Sequence, residues 1–467
     1  MNVLLVATNR EREPFPVAPL GALCVAAAAR TAGHAVELLD LGAERRPGHA
    51  LRSALRRRPT AVAFSIRNLD NAAWFTARSY FGEVRDLAEA VRRAPRSPLI
   101  LGGSGFSVAP EGWMRRLGAD YGVVGEGERA FVNLLDRLAH GRPAEGLAGV
   151  VTASGPAWPA PAPPIDDLDA LALPAHELCR YGRYLRRGGF VSVQTKRGCP
   201  FACSYCVYPG LEGRRYRLRS PRRVADEVEH VASGSGTCHV FFVDSVFNDP
   251  RDHALEVCAE LSRRRVPARW MAFCNPVGFN PELARAMVAA GCVGVEFGLD
   301  AATDKMLAAL HKPFRQDAIG SSLAAARGAG LPFSVHLLFG GPGETWHDVE
   351  EAQRFLDGCA PPHAVFASFG IRVYEGTPLA RQAEEEGMIS PGLDLFEPAF
   401  YVSPPLAVDP RGNLDRIVRR RAEWSSPVDW NRVTLRAIQR LLNRLGARPQ
   451  WLNVRNYGLR LRRGAEP

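Results

Sequence analysis

The stretch "GCPFACSYC", residues 198–206, gathers three of the chain's ten cysteines into nine residues, at spacings of four and three. Directly before it, "VSVQT" (191–195) is a short run of β-favouring residues that reads as a strand. Five more runs follow: "HVFFVDS" (239–245), "ARWMAF" (268–273), "VGVEFGLD" (293–300), "PFSVHLLFG" (332–340) and "VFASFGIRV" (365–373). Helical patterns separate them, such as "SPRRVADEVEHVA", where Ser220 and Pro221 supply an N-cap and a first turn. Six such βα units form most of a TIM-like barrel, whose chemistry lies at the C-terminal strand ends. The cysteines, following the first strand, therefore sit at a barrel mouth.

Upstream, residues 1–145 alternate the runs "VLLVAT", "AVELLDL", "AVAFSI", "PLILGG" and "YGVVG" with helical stretches such as "GALCVAAAARTAG". Five strands alternating with helices predict a doubly wound, Rossmann-like parallel sheet that binds ligands beyond its carboxyl edge. Candidate contacts there are Ser65, Arg67 and Asn68 in "SIRNLDN", then Gly102, Gly103, Ser104, Gly105 and Phe106 in "GGSGFS", and Gly125, Glu126 and Gly127 in "GEGE". Glycines at such loops let backbone approach a large or flat ligand, and they also serve plain turn geometry. Residues 146–188 include the aperiodic, proline-rich "SGPAWPAPAPPIDD" and read as a linker. The division expected is thus 1–145, linker 146–188, barrel 189–400, and a basic, mainly helical region 401–467.

A structural zinc site takes four ligands, usually from two separated cysteine pairs. Around Cys199, Cys203 and Cys206 there is no fourth thiol nearby and no histidine in the loop. Three thiolates suit an iron–sulfur cluster with one iron left open. A chain with no secretory start at "MNVLLVATNR" and no apolar run of spanning length is expected in the cytoplasm, where clustered cysteines are ligands rather than disulfides.

"CPFACSYC" resembles the CxxxCxxC loop of radical S-adenosylmethionine (radical SAM) enzymes. "VEFGLDAATDKML", "LFGGPGET" and "RVYEGTPLA" resemble later strands of the branch that carries an N-terminal cobalamin domain. "SIRNLDN", "ILGGSGFSVAPE" and "YGVVGEGE" resemble that domain itself. The resemblance spans about residues 1–400. It implies three cofactors, a 4Fe-4S cluster on Cys199, Cys203 and Cys206, S-adenosylmethionine, and cobalamin. It places Tyr205 near adenine. Asp244, Glu296, Gly340, Gly341 and Arg372 become candidates for the remaining contacts, carboxylates suiting ribose or ammonium and arginine suiting a carboxylate. The implied activity is methyl transfer to an unactivated carbon of a small metabolite by way of methylcobalamin. S-adenosylmethionine would serve both as methyl source and as precursor of a 5'-deoxyadenosyl radical. A cyclisation or rearrangement on the same cofactors is the alternative, and a flavodoxin or ferredoxin would supply electrons. tRNA methylthiolation would need three N-terminal cysteines where only Cys24 and Cys179 precede the loop, and a non-catalytic cobalamin sensor has no use for an open iron.

Two departures from that pattern shape the expectation. The first loop, "ATNREREPFPVAPLG", lacks the histidine that replaces the cofactor's own base beneath cobalt in many cobalamin proteins, and "FFVDS" stands where the superfamily has a Gly-Gly-Glu stretch. With the lower face open, Arg67, two residues beyond Ser65 on the same side of a strand end, becomes a catalytic candidate. Its fixed charge cannot ligate cobalt but can tune it.

The net charge of +10 resides in residues 411–467, which hold fourteen arginines against four acids. In "NRVTLRAIQRLLNRLGAR", Arg432, Arg436, Arg440, Arg444 and Arg448 share one helical face. A solvated face, an anionic substrate and peripheral membrane contact are the open readings; without interleaved aromatics the charge argues against nucleic acid.

Overall fold

The computed structural model describes residues 1–12, 15–94, 97–155, 160–235, 238–418, 421, 423–426, 441 and 449–453. The predicted arginine face of 432–448 lies outside the described residues. The chain divides into one compact unit of residues 1–71, 78–184 and 210–213, and a second of 72–77, 185–209 and 214–467.

The first unit is a six-stranded sheet in the order β2-β1-β3-β4-β5-β6, with β1 Asn2–Ala7, β2 Ala35–Asp40, β3 Ala61–Ser65, β4 Leu99–Gly102, β5 Tyr121–Val123 and β6 Val150–Thr152. The five expected strands are all present and parallel. β1 and β3 are apolar on both faces, as strands covered on both sides must be. Val3, Leu5, Ala26, Ile100, Phe131 and Leu134 belong to the core between sheet and helices. Helix 127–139 packs so closely on helix 20–31 that a Cβ at Gly127 would come 2.8 Å from Val25. β6 pairs antiparallel with β5, so the stretch read as a linker contributes an edge strand.

The second unit carries a seven-stranded parallel sheet in the order β17-β14-β13-β12-β11-β10-β7. Its strands are β7 Val191–Val193, β10 Cys238–Phe242, β11 Ala268–Cys274, β12 Cys292–Asp300, β13 Phe333–Phe339, β14 Ala364–Phe369 and the short β17 Trp424–Ser425. All six expected barrel strands occur. The sixth ends earlier than its apolar run, because Gly370 (φ +80°) breaks it. Ile371–Val373 (β15) then leaves the barrel sheet to pair antiparallel with Ala399–Tyr401 (β16). The cysteine loop is flanked by a two-stranded antiparallel ribbon that periodicity did not announce, Lys196–Arg197 (β8) against Arg217–Leu218 (β9).

Candidate active site

The cysteine loop is held at its root by a buried carboxylate. Asp244 follows β10 and accepts hydrogen bonds from the Thr195 amide (2.7 Å), the Thr195 hydroxyl (2.6 Å) and the Lys196 amide (3.2 Å). The ammonium of Lys196 lies 3.9 Å from the same carboxylate and donates to the Phe247 carbonyl at 2.7 Å. Burial lowers the pKa of Lys196, against the pull of Asp244. Asp244, expected as a cofactor contact, is thus committed to the strand that launches the cysteines.

Within the loop Cys199 is buried and Cys203 and Cys206 are half-buried. Burial pushes all three thiols up, Cys206 to about 12; Cys203 acts electrostatically on Cys199, and both act on Cys206. Among the described residues no three His, Cys, Asp or Glu side chains converge as ligands of a single metal ion. A four-iron cluster takes each thiolate on a different iron, so its ligands need only ring a shared space, and these free, neighbouring thiols fit one.

Tyr205, between the second and third cysteines, donates its hydroxyl to the carboxylate of Asp300. Asp300 ends β12 just past a bulge in its pairing with β13, in the left-handed region at φ +62°. That strain turns its side chain to the loop. Lys312 closes the group, donating to Asp300 at 2.6 Å and to the Gly298 carbonyl at 3.2 Å. Burial opposes both charges, but their mutual attraction outweighs it, so Lys312 is held above its ordinary pKa and Asp300 below. Neither Asp300 nor Lys312 was found by sequence reading.

After β13, the amides of Gly340 and Gly341 both donate to the Glu344 carboxylate, that of Gly341 at 2.9 Å. Glu344 is buried, and burial raises its pKa to about 7. Gly340 has φ +94°, which favours glycine. The following helix 346–358 starts with the capping box of Thr345 and Asp348.

Glu296, midway along β12, is engaged on both oxygens, by His336 at 3.0 Å and by the indole of Trp451 at 3.1 Å. Around His336 lie Phe366 (ring centroids 4.8 Å) and Phe273 (6.2 Å), and Phe273 is 40% exposed although it sits on a central strand. A side chain at Gly298 would meet nothing within 4 Å. The barrel's inner face is therefore open and aromatic. Arg372 is not at a barrel strand end; its guanidinium serves the carbonyls of Val373 and Leu395 and lies over Tyr374, 4.6 Å from the ring centre.

In the first unit the carboxyl edge presents Arg67, Ser104 and Gly125 exposed, with Ser65, Asn68, Gly102 and Gly103 partly so. The Ser104 hydroxyl donates to the Arg67 carbonyl at 2.7 Å. Gly103 and Gly105 let the two loops interlock, since a Cβ would come 2.5 Å from the Ile66 oxygen or 2.7 Å from Asn68 backbone. Gly125 (φ +78°) faces open space. A low shelf of this kind fits a planar macrocycle. Phe106 is wholly buried against Gly122, and Glu126 accepts from the Ile165 amide at 2.9 Å, so these two act in packing and loop closure.

Residues 193–356 match the Radical SAM superfamily and residues 12–135 the B12 binding domain. The tryptophan 2-C-methyltransferase of Streptomyces laurentii is 29% identical over 442 residues, 79% of this chain and 73% of that one. The radical SAM methyltransferase TsrM of Kitasatospora setae, solved with cobalamin and a [4Fe-4S] cluster, superposes with a TM-score of 0.84 at 26% identity, covering 99% of each chain. A second TsrM structure, with tryptophan substrate and the SAM analog aza-SAM, gives 0.85 at 25% identity over 99% and 98%.

Proposed function

We propose that this chain, which carries a radical SAM and a B12 binding domain, is a cobalamin-dependent radical SAM methyltransferase that methylates a carbon of a small, planar aromatic substrate of the tryptophan kind. The observation that carries the reading is the end-to-end likeness to a methyltransferase solved with tryptophan and a SAM analog. The inner face of the barrel supports it, because exposed Phe273 and the half-buried Phe366 and His336 offer ring faces and one polar edge. When bound, the cluster, S-adenosylmethionine and cobalamin together supply an activated methyl group.

The chain's own residues do the rest. Cys199, Cys203 and Cys206 hold the cluster, and the Asp244–Thr195–Lys196 network fixes the start of their loop. The Gly340–Gly341 turn, pinned by Glu344, brings backbone close to the cosubstrate at the barrel mouth. His336, oriented by Glu296, offers the substrate a hydrogen-bonding partner. In the first unit, Ser65, Asn68, Gly102, Ser104 and Gly125 line the ring's shelf. Arg67 presents there a fixed charge that does not ligate metal and would tune the corrinoid held beside it. A flavodoxin- or ferredoxin-type donor supplies the electrons.

The test is direct. Reconstituted protein is incubated with cobalamin, a reductant, S-adenosylmethionine bearing a deuterated methyl group, and tryptophan or a panel of indoles. Transfer of the intact labelled methyl to ring carbon, seen by mass spectrometry, is expected. A product of unchanged mass would identify a rearrangement or cyclisation, and methylation of only non-aromatic substrates would overturn the substrate class.

A further inference from the structure

Sequence reading assigned no role to the chain's three lysines, Lys196, Lys305 and Lys312, among 59 basic residues. Lys312 is the one whose charge bears on the cluster cysteines. Its side chain is 7% exposed, and its ammonium acts on Cys203 and on Cys206. An ammonium has three N–H groups, and Lys312 has three acceptors: Asp300 at 2.6 Å, the Gly298 carbonyl at 3.2 Å and the Tyr205 hydroxyl at 3.5 Å, the limit of a hydrogen bond. Two left-handed residues deliver this geometry. Asp300 (φ +62°) is strained beside a bulge of its strand, and His311 (φ +54°) ends the short helix 304–309 in the usual left-handed way, with the Lys312 amide closing on the Leu307 carbonyl at 2.8 Å. The same turn grips the loop directly, through the Ser204 amide on the Leu310 carbonyl at 3.1 Å. Strain kept at Asp300, within a buried ion pair, marks a constraint at the loop.

We propose that Lys312 and Asp300 are a positioning pair that sets the reduction potential of the cluster held by Cys199, Cys203 and Cys206. One-electron reduction adds a negative charge to this buried loop, the electron coming from the external donor. The Lys312 ammonium stabilises that charge and the Asp300 carboxylate opposes it, in a setting where water screens neither well. Through its hydrogen bonds to Tyr205, a residue of the loop itself, the pair also holds the loop's register. The inference rests on the three-thiolate cluster and not on methyl transfer.

Full-length protein, reconstituted with iron and sulfide and free of cobalamin and S-adenosylmethionine, is titrated with a low-potential reductant while electron paramagnetic resonance follows the reduced cluster. Lys312→Met should lower the midpoint, and Asp300→Asn, which keeps shape but removes the opposing charge, should raise it. Each shift should be at least tenfold in the reduction equilibrium, about 59 mV for one electron. Tyr205→Phe should move the midpoint less than either charge variant while broadening the signal as the loop loosens. Equal midpoints in all variants, or shifts of the same sign in Lys312→Met and Asp300→Asn, would overturn the proposal. Should Lys312→Met fail to hold iron, Asp300→Asn decides alone. A parent that takes up no cluster would instead sink the cofactor assignment, and a parent with a normal cluster but no methylated product would leave the midpoint test intact.

Discussion

Glu344→Gln separates the structural role of the glycine turn from its chemistry. The Glu344 carboxyl group is 3% exposed and takes the amides of Gly340 and Gly341. Burial raises its pKa from 4.5 to about 7, although the two amides pull it down. Because the folded value exceeds the unfolded one, the group's stabilising contribution is complete below about pH 4.5 and is lost as pH rises through 7. At ~1.4 kcal/mol per pKa unit, the shift amounts to about 3 kcal/mol by pH 9. Glutamine keeps an acceptor for the two amides but cannot ionise. The variant should therefore trail the parent by ~1 kcal/mol at pH 5, where an acid hydroxyl is exchanged for an amide in a tight site. It should overtake the parent near pH 6, because the parent loses ~1.4 kcal/mol per pH unit between about 4.5 and 7. The assay is urea unfolding of the cofactor-free protein at intervals from pH 5 to 9, followed by a probe within the barrel unit. Parallel stability curves for parent and variant across that range would refute the reasoning, for they would mean that Glu344 titrates like a solvated carboxylate.

Alanine at Cys199, Cys203 or Cys206 should abolish iron–sulfur absorbance and turnover, whereas alanine at Cys258, buried in helix 251–264, should leave iron content unchanged; iron and sulfide analysis decides. Purified protein should bind one corrinoid with no histidine nitrogen beneath cobalt, and a spectrum showing such a ligand would contradict the missing histidine of the first loop. Arg67→Leu should alter the cobalt spectrum and slow methylation, with Arg67→Lys changing access to the metal while keeping charge; parental rates and spectra in both would leave Arg67 a surface residue only. Gly103→Ala forces a Cβ 2.5 Å from the Ile66 oxygen at φ +96°, so it should cost ~2 kcal/mol or more and weaken corrinoid uptake. Thermal unfolding and corrinoid titration measure both effects.

The parts of this molecule that could be read from sequence are those fixed by short-range pattern. Eleven strands showed as apolar runs because parallel strands covered on both faces have no polar side to interrupt them. The cysteine loop showed because a ligand set needs fixed spacing along one loop. What escaped depends on where side chains turn once the chain has folded. Asp244 and Glu296 were read as cofactor contacts because they fall at predicted barrel strands, but nothing local says that one turns to Thr195 and the other is shared between His336 and Trp451, the latter 155 residues away. Arg372 misled for a simpler reason, that Gly370 ends the strand two residues before it.

Lysine usage was the signal left unread. In a chain whose cations are nearly all arginine, composition pressure alone would give arginine at every basic position, so each surviving lysine marks a place where the planar fork does not serve. The structure bears on each in turn. Lys196 is buried between Asp244 and the Phe247 carbonyl, Lys312 between Asp300 and the Gly298 carbonyl, and Lys305 holds the Asp348 carboxylate at 2.6 Å. Two of the three brace the cysteine loop from opposite ends, Lys196 at its root and Lys312 at Tyr205. A guanidinium in either place would bring five donors to a pocket that offers two or three acceptors, and would strand the others away from water at a cost of about 1–3 kcal/mol each. A compact ammonium leaves none over. The rarity of the residue and the tightness of its site are thus one observation, and it converges on the loop with which the reading of this sequence began.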